Sequence, residues 1–224
     1  MMWKRDEIAK MMDQAALKPS LTESDILSQC EMCRRLGIGH VCVRPTDVAL
    51  AASALIGSGV AVSCVVGFPH GAARTETKVL EAELAIADGA SELDMVINIG
   101  KLRSGRREEV LRDIRSVVEL AHSKGALVKV ILECCLLTEE EIKVACGCAE
   151  EAGADFVKSS TGFNGEGATP ETIRAMLDAV GGRLRVKASG GIRSWDQAVA
   201  FAEMGVARLG VSGAEKILAG APRE

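Results

Sequence analysis

The stretch "DFVKSSTGFNGEGATPETIRAM", residues 155–176, contains a strand pattern, a glycine-rich loop and the start of a helix pattern. Apolar residues lead directly into Lys158, as they do in a buried parallel strand, and helical periodicity extends from 170 to 180. Burying the ammonium group of a lysine is costly unless the group is paired or loses its proton. The position of Lys158 therefore has to be explained by the fold and by the chemistry of the protein.

Units of this kind repeat along the chain. Strand-like apolar runs lie near 12–17, 40–44, 61–66, 92–97, 127–132, 155–158, 184–188 and 207–211. Helical patterns between them include 23–36, 74–88, 104–124, 139–152, 170–180 and 194–204, and several are opened by capping residues: Thr22, Ser104, Thr138 and Ser194. Eight successive β-α units predict an α/β fold, a single (β/α)8 TIM barrel that forms one domain over residues 1–224.

An open, doubly wound sheet would also alternate strands with helices. Two features favour the closed barrel. The chain has eight units rather than five or six, and its glycine-rich loops follow the sixth, seventh and eighth strands. No G-x-G-x-x-G segment follows the first strand, where a dinucleotide-binding sheet would carry it.

Composition limits the classes of partner. The chain has 224 residues, of which 48% are hydrophobic and 26% charged, which is typical of a soluble globular protein. A net charge of −4, with no basic stripe that contains aromatic residues, argues against nucleic acid. The opening "MMWKRDEIAK" lacks the apolar segment of a signal peptide, and no run is long enough to cross a membrane. We therefore expect a cytoplasmic protein.

Cysteine and histidine positions argue against a metal centre. Cys30 and Cys33 have the spacing of half a zinc site, but no second pair at finger spacing follows. His40, His70 and His122 are far apart and belong to no H-E-x-x-H segment. We expect no metal and no cofactor, and we interpret the eight cysteines as small buried hydrophobic residues.

Alternation along the strands predicts an unusually polar barrel interior. Successive side chains of a strand point to opposite faces, and the apolar set of each strand suits contact with the outer helices. The other set then points inward and comprises Cys42, Asp94, Lys129, Glu133, Lys158 and Lys187. Most of these residues lie toward the carboxyl ends of their strands, where the active sites of this fold are located. The alternative is a buried ion network that only holds the barrel in register.

Two of these residues, Lys158 and Lys187, are predicted on neighbouring strands. If their ammonium groups lie about 6 Å apart, the repulsion at an effective dielectric constant near 20 is about 3 kcal/mol. That repulsion would lower one pKa by about two units, and burial acts in the same direction. One lysine could then be a neutral amine able to form a Schiff base, with Asp94 placed to move protons.

Glycine-rich loops indicate what the substrate carries. "STGFNGEGAT" at 160–169, "ASGGIRS" at 188–194 and "GVSGAE" at 210–215 follow the last three strands. Backbone amides of such loops can hold a phosphate group, and this fold often binds phosphate after strands seven and eight. The glycines of any one of these loops are as well explained by a tight turn between strand and helix. Three glycine-rich loops at the carboxyl ends of the last three strands, where this fold binds phosphate, favour a phosphate site.

Four segments, "ELDMVINIG" (92–100), "VKVILECCL" (128–136), "DFVKSSTGF" (155–163) and "VKASGGIRS" (186–194), resemble the signature blocks of the deoxyribose-phosphate aldolase family. "HVCVRP", "VVGFPHG" and "RLGVSGA" occur in the same order, so the resemblance runs from about residue 8 to 218. It implies a class I aldolase that reversibly cleaves 2-deoxy-D-ribose 5-phosphate to D-glyceraldehyde 3-phosphate and acetaldehyde. The partners would be a sugar phosphate and an aldehyde, with neither metal nor organic cofactor.

The resemblance also implies residue roles. The Schiff-base lysine of the family corresponds to Lys158, the lysine that lowers its pKa to Lys187, and the proton-transfer aspartate to Asp94. The phosphate contacts of the family correspond to Gly162, Gly190, Gly191 and Ser212. Further residues that are candidates to line the pocket are Asp13, Cys42, Lys129 and Glu133. Barrels of this family commonly pair, so we expect a homodimer or a higher homo-oligomer, with Trp3, Met11 or Met12 as candidate contact residues.

The first strand departs from the family pattern. Relatives usually read Asp-His-Thr-x-Leu-Lys-Pro, whereas "DQAALKP" at 13–19 has Gln14 in place of the histidine and alanines at 15 and 16. The loss of a hydroxyl group near the site would weaken hydrogen bonding to a substrate or to a water molecule. Two alternatives therefore stay open: a Schiff-base aldolase or transaldolase for another sugar phosphate, and a phosphate-binding barrel without catalysis.

Overall fold

Parallel pairing of short strands closes the sheet into a barrel in the computed structural model, which describes residues 3–222. In this range eight strands are present, each hydrogen-bonded to the next, and the last is bonded to the first. They are β1 (Met12–Ala16), β2 (His40–Val43), β3 (Ala61–Val66), β4 (Glu92–Val96), β5 (Leu127–Ile131), β6 (Phe156–Lys158), β7 (Arg185–Ser189) and β8 (Arg208–Val211). The predicted TIM barrel is confirmed; of the predicted span 1–224, residues 1–2 and 223–224 lie outside the described residues.

Ten α-helices surround the barrel in the described range. They are α1 (Arg5–Met11), α2 (Glu23–Leu36), α3 (Val48–Ala54), α4 (Thr75–Ala87), α5 (Ile99–Arg103), α6 (Arg107–Ser123), α7 (Glu139–Glu151), α8 (Pro170–Val180), α9 (Trp195–Glu203) and α10 (Ala214–Ala219). The predicted helix over 104–124 is wrong at its start, because Ser104 ends α5 and Arg106 precedes α6.

Local sequence explains where the long helices begin and end. Thr22 caps α2 by accepting a hydrogen bond from the amide of Asp25, and the Asp25 carboxylate accepts one from the Thr22 amide in return. Thr138 and Ser194 cap α7 and α9 by the same kind of contact, as predicted. Gly37 ends α2 in the left-handed conformation, with φ of 67°, which glycine adopts without steric cost.

The apolar core lies between the barrel and the helices. Leu93 and Met95 of β4 and Val128 and Val130 of β5 are fully buried there, and the neighbouring strands contribute similar side chains. The alternate residues of the same strands include Glu92, Asp94 and Lys129, whose charged groups contact one another inside the barrel. The fold therefore places its apolar layer outside the sheet and its polar layer inside it, at the centre of the molecule.

Several expectations about single residues are settled by burial. Seven of the eight cysteines are buried, as predicted, but Cys135 is exposed because it lies in a turn after β5. Met12 is fully buried within β1, so it cannot form a contact between subunits, while Trp3 and Met11 are partly exposed. Within residues 3–222, no helix is both long enough and apolar enough to span a membrane.

Candidate active site

Asp94 is the centre of the charged network inside the barrel. Its Oδ1 accepts a hydrogen bond from Lys129 Nζ at 2.6 Å, and its Oδ2 accepts from Lys158 Nζ at 2.6 Å and Lys187 Nζ at 2.8 Å. The strand register explains this convergence, since Lys129 is paired with Asp94 across β4 and β5, and Lys158 with Lys187 across β6 and β7. The three catalytic candidates are thus brought together as predicted.

A second layer of charges lies around this centre. Asp13 of β1 binds Lys187 and lies 3.6 Å from Lys129, which also contacts Glu92 at 2.7 Å. Glu92 in turn binds Arg208 at 2.8 Å. The network therefore joins four lysine and arginine side chains, Lys129, Lys158, Lys187 and Arg208, to three carboxylates, Asp13, Glu92 and Asp94, and His40 Nε2 also lies 3.4 Å from Glu92. The lysine and arginine side chains outnumber the carboxylates by one, and this excess of positive charge favours the loss of one proton from the network.

The two paired lysines differ in the direction of their pKa shifts. Burial lowers the pKa of Lys187, and the charges of Lys158 and Lys129 act in the same direction against the attraction of Asp13 and Asp94. Burial also opposes the charge on Lys158, but the combined effect of the acidic groups around it, above all the Asp94 carboxylate, outweighs burial, and the pKa of Lys158 is raised. The expectation that repulsion within the pair leaves one of the two amines neutral stays a prediction. It counted the repulsion from Lys187 but not the direct ion pair with Asp94.

The carboxylates of the network stay ionised. Burial alone would raise the pKa of Asp94, but the ammonium groups of Lys129, Lys158 and Lys187 hold it well below its usual value. The pKa of Asp13 is lowered in the same way, because Lys187 and Lys129 outweigh the effect of its burial. Asp94 is therefore a hydrogen-bond acceptor toward both lysines of the pair and can pass a proton between them.

A cavity of ≈ 410 Å³ opens at the carboxyl ends of the strands and reaches this network. Most of the predicted site residues line it: Asp13, Cys42, Lys158, Gly162, Lys187, Gly190, Gly191 and Ser212. Asp94 lies just beneath it, since its carboxylate binds two of the lining lysines. Lys129 and Glu133 do not line it, which corrects their prediction as pocket residues. Lys129 belongs to the layer below, and Glu133 lies past the end of β5 under the loop that follows β6.

Cys42 lines the pocket but is only 2% exposed. Burial, together with the nearby charges of Asp94 and Asp13, raises the pKa of its thiol to about 12. The thiol is therefore protonated at neutral pH and a poor nucleophile. Cys42 packs with Leu17 and Val65 in a small apolar cluster at the pocket wall.

Several lining residues were missed by the sequence reasoning. Lys18 and Arg193 are exposed at the pocket and add positive charge to its opening, and Phe163 covers part of it. Lys18 follows β1 by two residues and Arg193 follows β7 by four. Position just after a strand was therefore the signal that could have identified them, since the βα loops of this fold form its active site.

Glycine is required where the loops after β6 and β7 meet. Gly190 has φ of +86°, and a Cβ at this position would lie 2.8 Å from the Cα of Gly167. Ser159 and Ser189 join the same two loops, because the Ser159 hydroxyl donates to the Ser189 carbonyl and accepts from the Ser189 amide. The backbone beside Lys158 and Lys187 is thus held as one unit.

The departures in the first strand have different consequences. Gln14 points away from the barrel interior and bridges two helices, since its amide group donates to Gln29 at 2.8 Å and accepts from the Ala214 amide at 3.0 Å. Ala16 is 1% exposed and lies in the apolar core, so a hydroxyl there would not reach a substrate. Gln14 and Ala15 both line the pocket, but the amide group of Gln14 is already bound to the two helices, so only Ala15 is a position where the family hydroxyl is missing from the pocket wall. The missing hydroxyl therefore concerns a single position.

The chain is similar to known aldolases over nearly its whole length. Residues 7–215 match the family model described as DeoC/LacD family aldolase. A deoxyribose-phosphate aldolase of Thermococcus kodakarensis is 51% identical and covers 97% of this chain and 98% of its own, and one of Geobacillus is 50% identical with 96% of each covered. The solved deoxyribose phosphate aldolase of Aeropyrum pernix is 34% identical, covers 96% of this chain and 91% of its own, and superposes with a TM-score of 0.91. The chain belongs to the DeoC/LacD family of aldolases.

Proposed function

We propose that this protein reversibly cleaves 2-deoxy-D-ribose 5-phosphate to D-glyceraldehyde 3-phosphate and acetaldehyde through a Schiff base on Lys158. The observation that carries the proposal is the shared contact of Lys158 and Lys187 with one Asp94 oxygen at the base of the pocket. The names of the 50% and 51% identical relatives support the choice of substrate.

The position of Lys158 in the barrel makes it the better nucleophile of the two lysines. It is the last residue of β6 and is bound by a single carboxylate, whereas Lys187 is bound by both Asp13 and Asp94. Lys187 loses its proton more readily, because its pKa is lowered and the lysine and arginine side chains of the network outnumber its carboxylates by one, and as a neutral amine it can then take up a proton. In this scheme Lys187 gives up the excess proton, and Lys158 then passes its own proton through Asp94 to Lys187 as the substrate carbonyl approaches.

The reaction then follows from amine chemistry. The neutral amine of Lys158 attacks C1 of the open-chain sugar, and loss of water gives an iminium ion. Removal of the C3 hydroxyl proton breaks the C2–C3 bond, and its electron pair moves into the iminium, which becomes an enamine. Glyceraldehyde 3-phosphate leaves as the aldehyde. Protonation of the enamine at C2 and hydrolysis of the resulting iminium release acetaldehyde and regenerate the amine, with Asp94 beside the nitrogen to exchange protons.

The other end of the pocket suits a phosphate group. Gly162, Gly190, Gly191 and Ser212 line it on the loops after β6, β7 and β8. Backbone amides of such loops bind phosphate oxygens, and the positive charges of two exposed side chains, Lys18 and Arg193, attract the negative phosphate group. The distance between the amine and this charged opening would select a sugar that carries its phosphate at the far end from its carbonyl.

We also propose that the chain is one domain, works in the cytoplasm and assembles into a homo-oligomer. Support for assembly comes from the Aeropyrum pernix relative, which is described as tetrameric. Light scattering on a size-exclusion column measures the assembly directly. A mass of one chain at micromolar concentration would contradict it.

Turnover on 2-deoxy-D-ribose 5-phosphate, followed through release of glyceraldehyde 3-phosphate, tests the proposed reaction. We expect activity with this substrate and far less with fructose phosphates. Lys158→Leu should abolish it, while Lys124→Leu, an exposed lysine before β5 at the opposite end of the barrel, should leave it unchanged. Equal turnover of a fructose phosphate, or full activity of Lys158→Leu, would contradict the proposal.

A further inference from the structure

Glu133 has an unusual backbone conformation. Within residues 3–222 it is the only non-glycine residue with a positive φ, at 58°, and it lies two residues past the end of β5. A side chain with a Cβ is unfavourable in this left-handed region, so such residues persist where the surrounding structure fixes them. The contacts of the Glu133 side chain show what fixes it.

The Glu133 carboxylate is 1% exposed and forms no ion pair with any cation among the described residues. Burying a charge without a counter-charge requires strong hydrogen bonds in compensation. Glu133 accepts three, all from the loop after β6: from the Thr161 amide at 3.0 Å, from the Thr161 hydroxyl, and from the Asn164 side-chain amide at 2.8 Å. The strained residue of one loop thus holds the next loop.

The held segment, 161–164, is connected further to the loop after β3. Asn164 also donates to the Pro69 carbonyl at 3.2 Å, and the Phe163 ring packs edge-on against Phe68 with centroids 5.2 Å apart. Within the segment, the Phe163 amide donates to the Thr161 hydroxyl at 3.1 Å. One buried carboxylate therefore joins three loops at the mouth of the barrel.

The segment 161–164 begins three residues after Lys158, and Thr161, Gly162 and Phe163 line the pocket. We propose that Glu133 is a positioning residue for the aldolase reaction. It fixes this segment as the wall of the pocket that receives the phosphorylated end of the substrate, and it acts without touching the substrate itself. This role rests on the function proposed above and replaces the predicted role of Glu133 as a pocket-lining residue.

Glu133→Gln tests the role with a minimal change of shape. In either orientation of the new amide its NH2 group faces a donor, the NH2 group of Asn164 or the backbone amide of Thr161, so the segment loses its fixed position. We expect KM for 2-deoxy-D-ribose 5-phosphate to rise about tenfold, while kcat stays within about threefold. Borohydride trapping of acetaldehyde at Lys158 should keep its rate, because acetaldehyde has no phosphate. Glu166→Gln, with the same charge change at an exposed position of the same loop, is the matched control and should leave KM unchanged.

The double variant Glu133→Gln/Asn164→Asp reverses donor and acceptor and should recover part of the lost affinity; recovery is partial because a carboxylate at position 164 cannot donate to the Pro69 carbonyl. If Glu133→Gln does not fold, Asn164→Ala removes the same contact from the partly exposed side and should raise KM alone. An unchanged KM, or a parallel fall of kcat, trapping and affinity, would overturn the positioning role alone. Absence of turnover in the unmodified protein would instead overturn the proposed function, and this role with it.

Discussion

Lys158 and Lys187 occupy paired positions on β6 and β7, and both donate to Oδ2 of Asp94, from 2.6 and 2.8 Å. Their nitrogens can be no farther apart than these two distances together, so each ammonium group strongly disfavours the other. The shared oxygen also gives the two amines a direct route for exchanging a proton. The reactivity of the site follows from this arrangement rather than from either lysine alone.

Replacing Lys187 should shift the pH dependence of the reaction. Lys187→Leu removes the amine that takes up the proton of Lys158 in the proposed scheme, and Lys158 is then left with a pKa that Asp94 holds above its ordinary value. Less of the amine is then neutral, and kcat/KM at pH 7 should fall about a hundredfold and recover in part as the pH is raised. Profiles of kcat/KM from pH 6 to 10 measure this. A loss of equal size at every pH would contradict it.

Asp94→Asn should distinguish the role of Asp94 in Schiff-base formation at Lys158 from its role in the later proton transfers. Asp94 raises the pKa of Lys158, so its loss lowers that pKa, and trapping of acetaldehyde at Lys158 should begin at a lower pH than in the unmodified protein. Turnover should nevertheless fall about a hundredfold or more, because the group that exchanges protons is gone. Parallel measurements of trapping and turnover check this. A parallel loss of both would show that Asp94 serves only to hold the lysines in place.

A buried lysine outside the barrel offers a test of stability alone. Lys78 of α4 is fully buried and donates to Asp113 at 2.5 Å and to the Val96 carbonyl at 2.8 Å. Lys78→Met leaves the Asp113 carboxylate without its cation, so the free energy of unfolding should fall by about 3–5 kcal/mol. Urea unfolding measures the loss. Lys78→Met/Asp113→Leu should recover most of it, and a single variant as stable as the unmodified protein would contradict the importance of this ion pair.

Ala15 lines the pocket at a position where relatives usually carry a hydroxyl group. Ala15→Thr returns a hydroxyl to the wall, and one added hydrogen bond to the substrate, of about 1 kcal/mol, would raise kcat/KM about fivefold. Ala15→Val, which has the same shape without the hydroxyl, is the control and should give no gain. Steady-state kinetics on 2-deoxy-D-ribose 5-phosphate distinguish the two variants. An equal effect of both would show that space rather than hydrogen bonding matters at this position.

Alternation and periodicity were sufficient to predict the barrel. Strands of five residues with opposite faces of different polarity, such as β4 and β5, determine which side chains meet inside, and long capped helices such as α2 and α8 have the predicted bounds. Four short helices, α1, α3, α5 and α10, were given no bounds in advance, since segments of five to seven residues do not complete two helical turns and carry little periodicity.

The candidate site was predicted less completely, and its errors have physical causes. The alternation that placed Glu133 in the pocket stops at Ile131, where β5 ends and the backbone turns into the left-handed region. The protonation state of Lys158 could not be obtained from its repulsion with Lys187, because the pKa depends on a 2.6 Å contact with Asp94 from a strand 64 residues away. The pKa of a buried lysine depends on the distances to charged groups across the barrel, and these distances cannot be read from a single sequence.

Borohydride reduction in the presence of acetaldehyde, followed by mass mapping of the peptides, tests the central claim most directly. We expect a single ethyl group on the side chain of Lys158, and none in Lys158→Leu. An ethyl group on Lys187 with Lys158 unmodified, or no adduct at all, would contradict the assignment of Lys158 as the nucleophile.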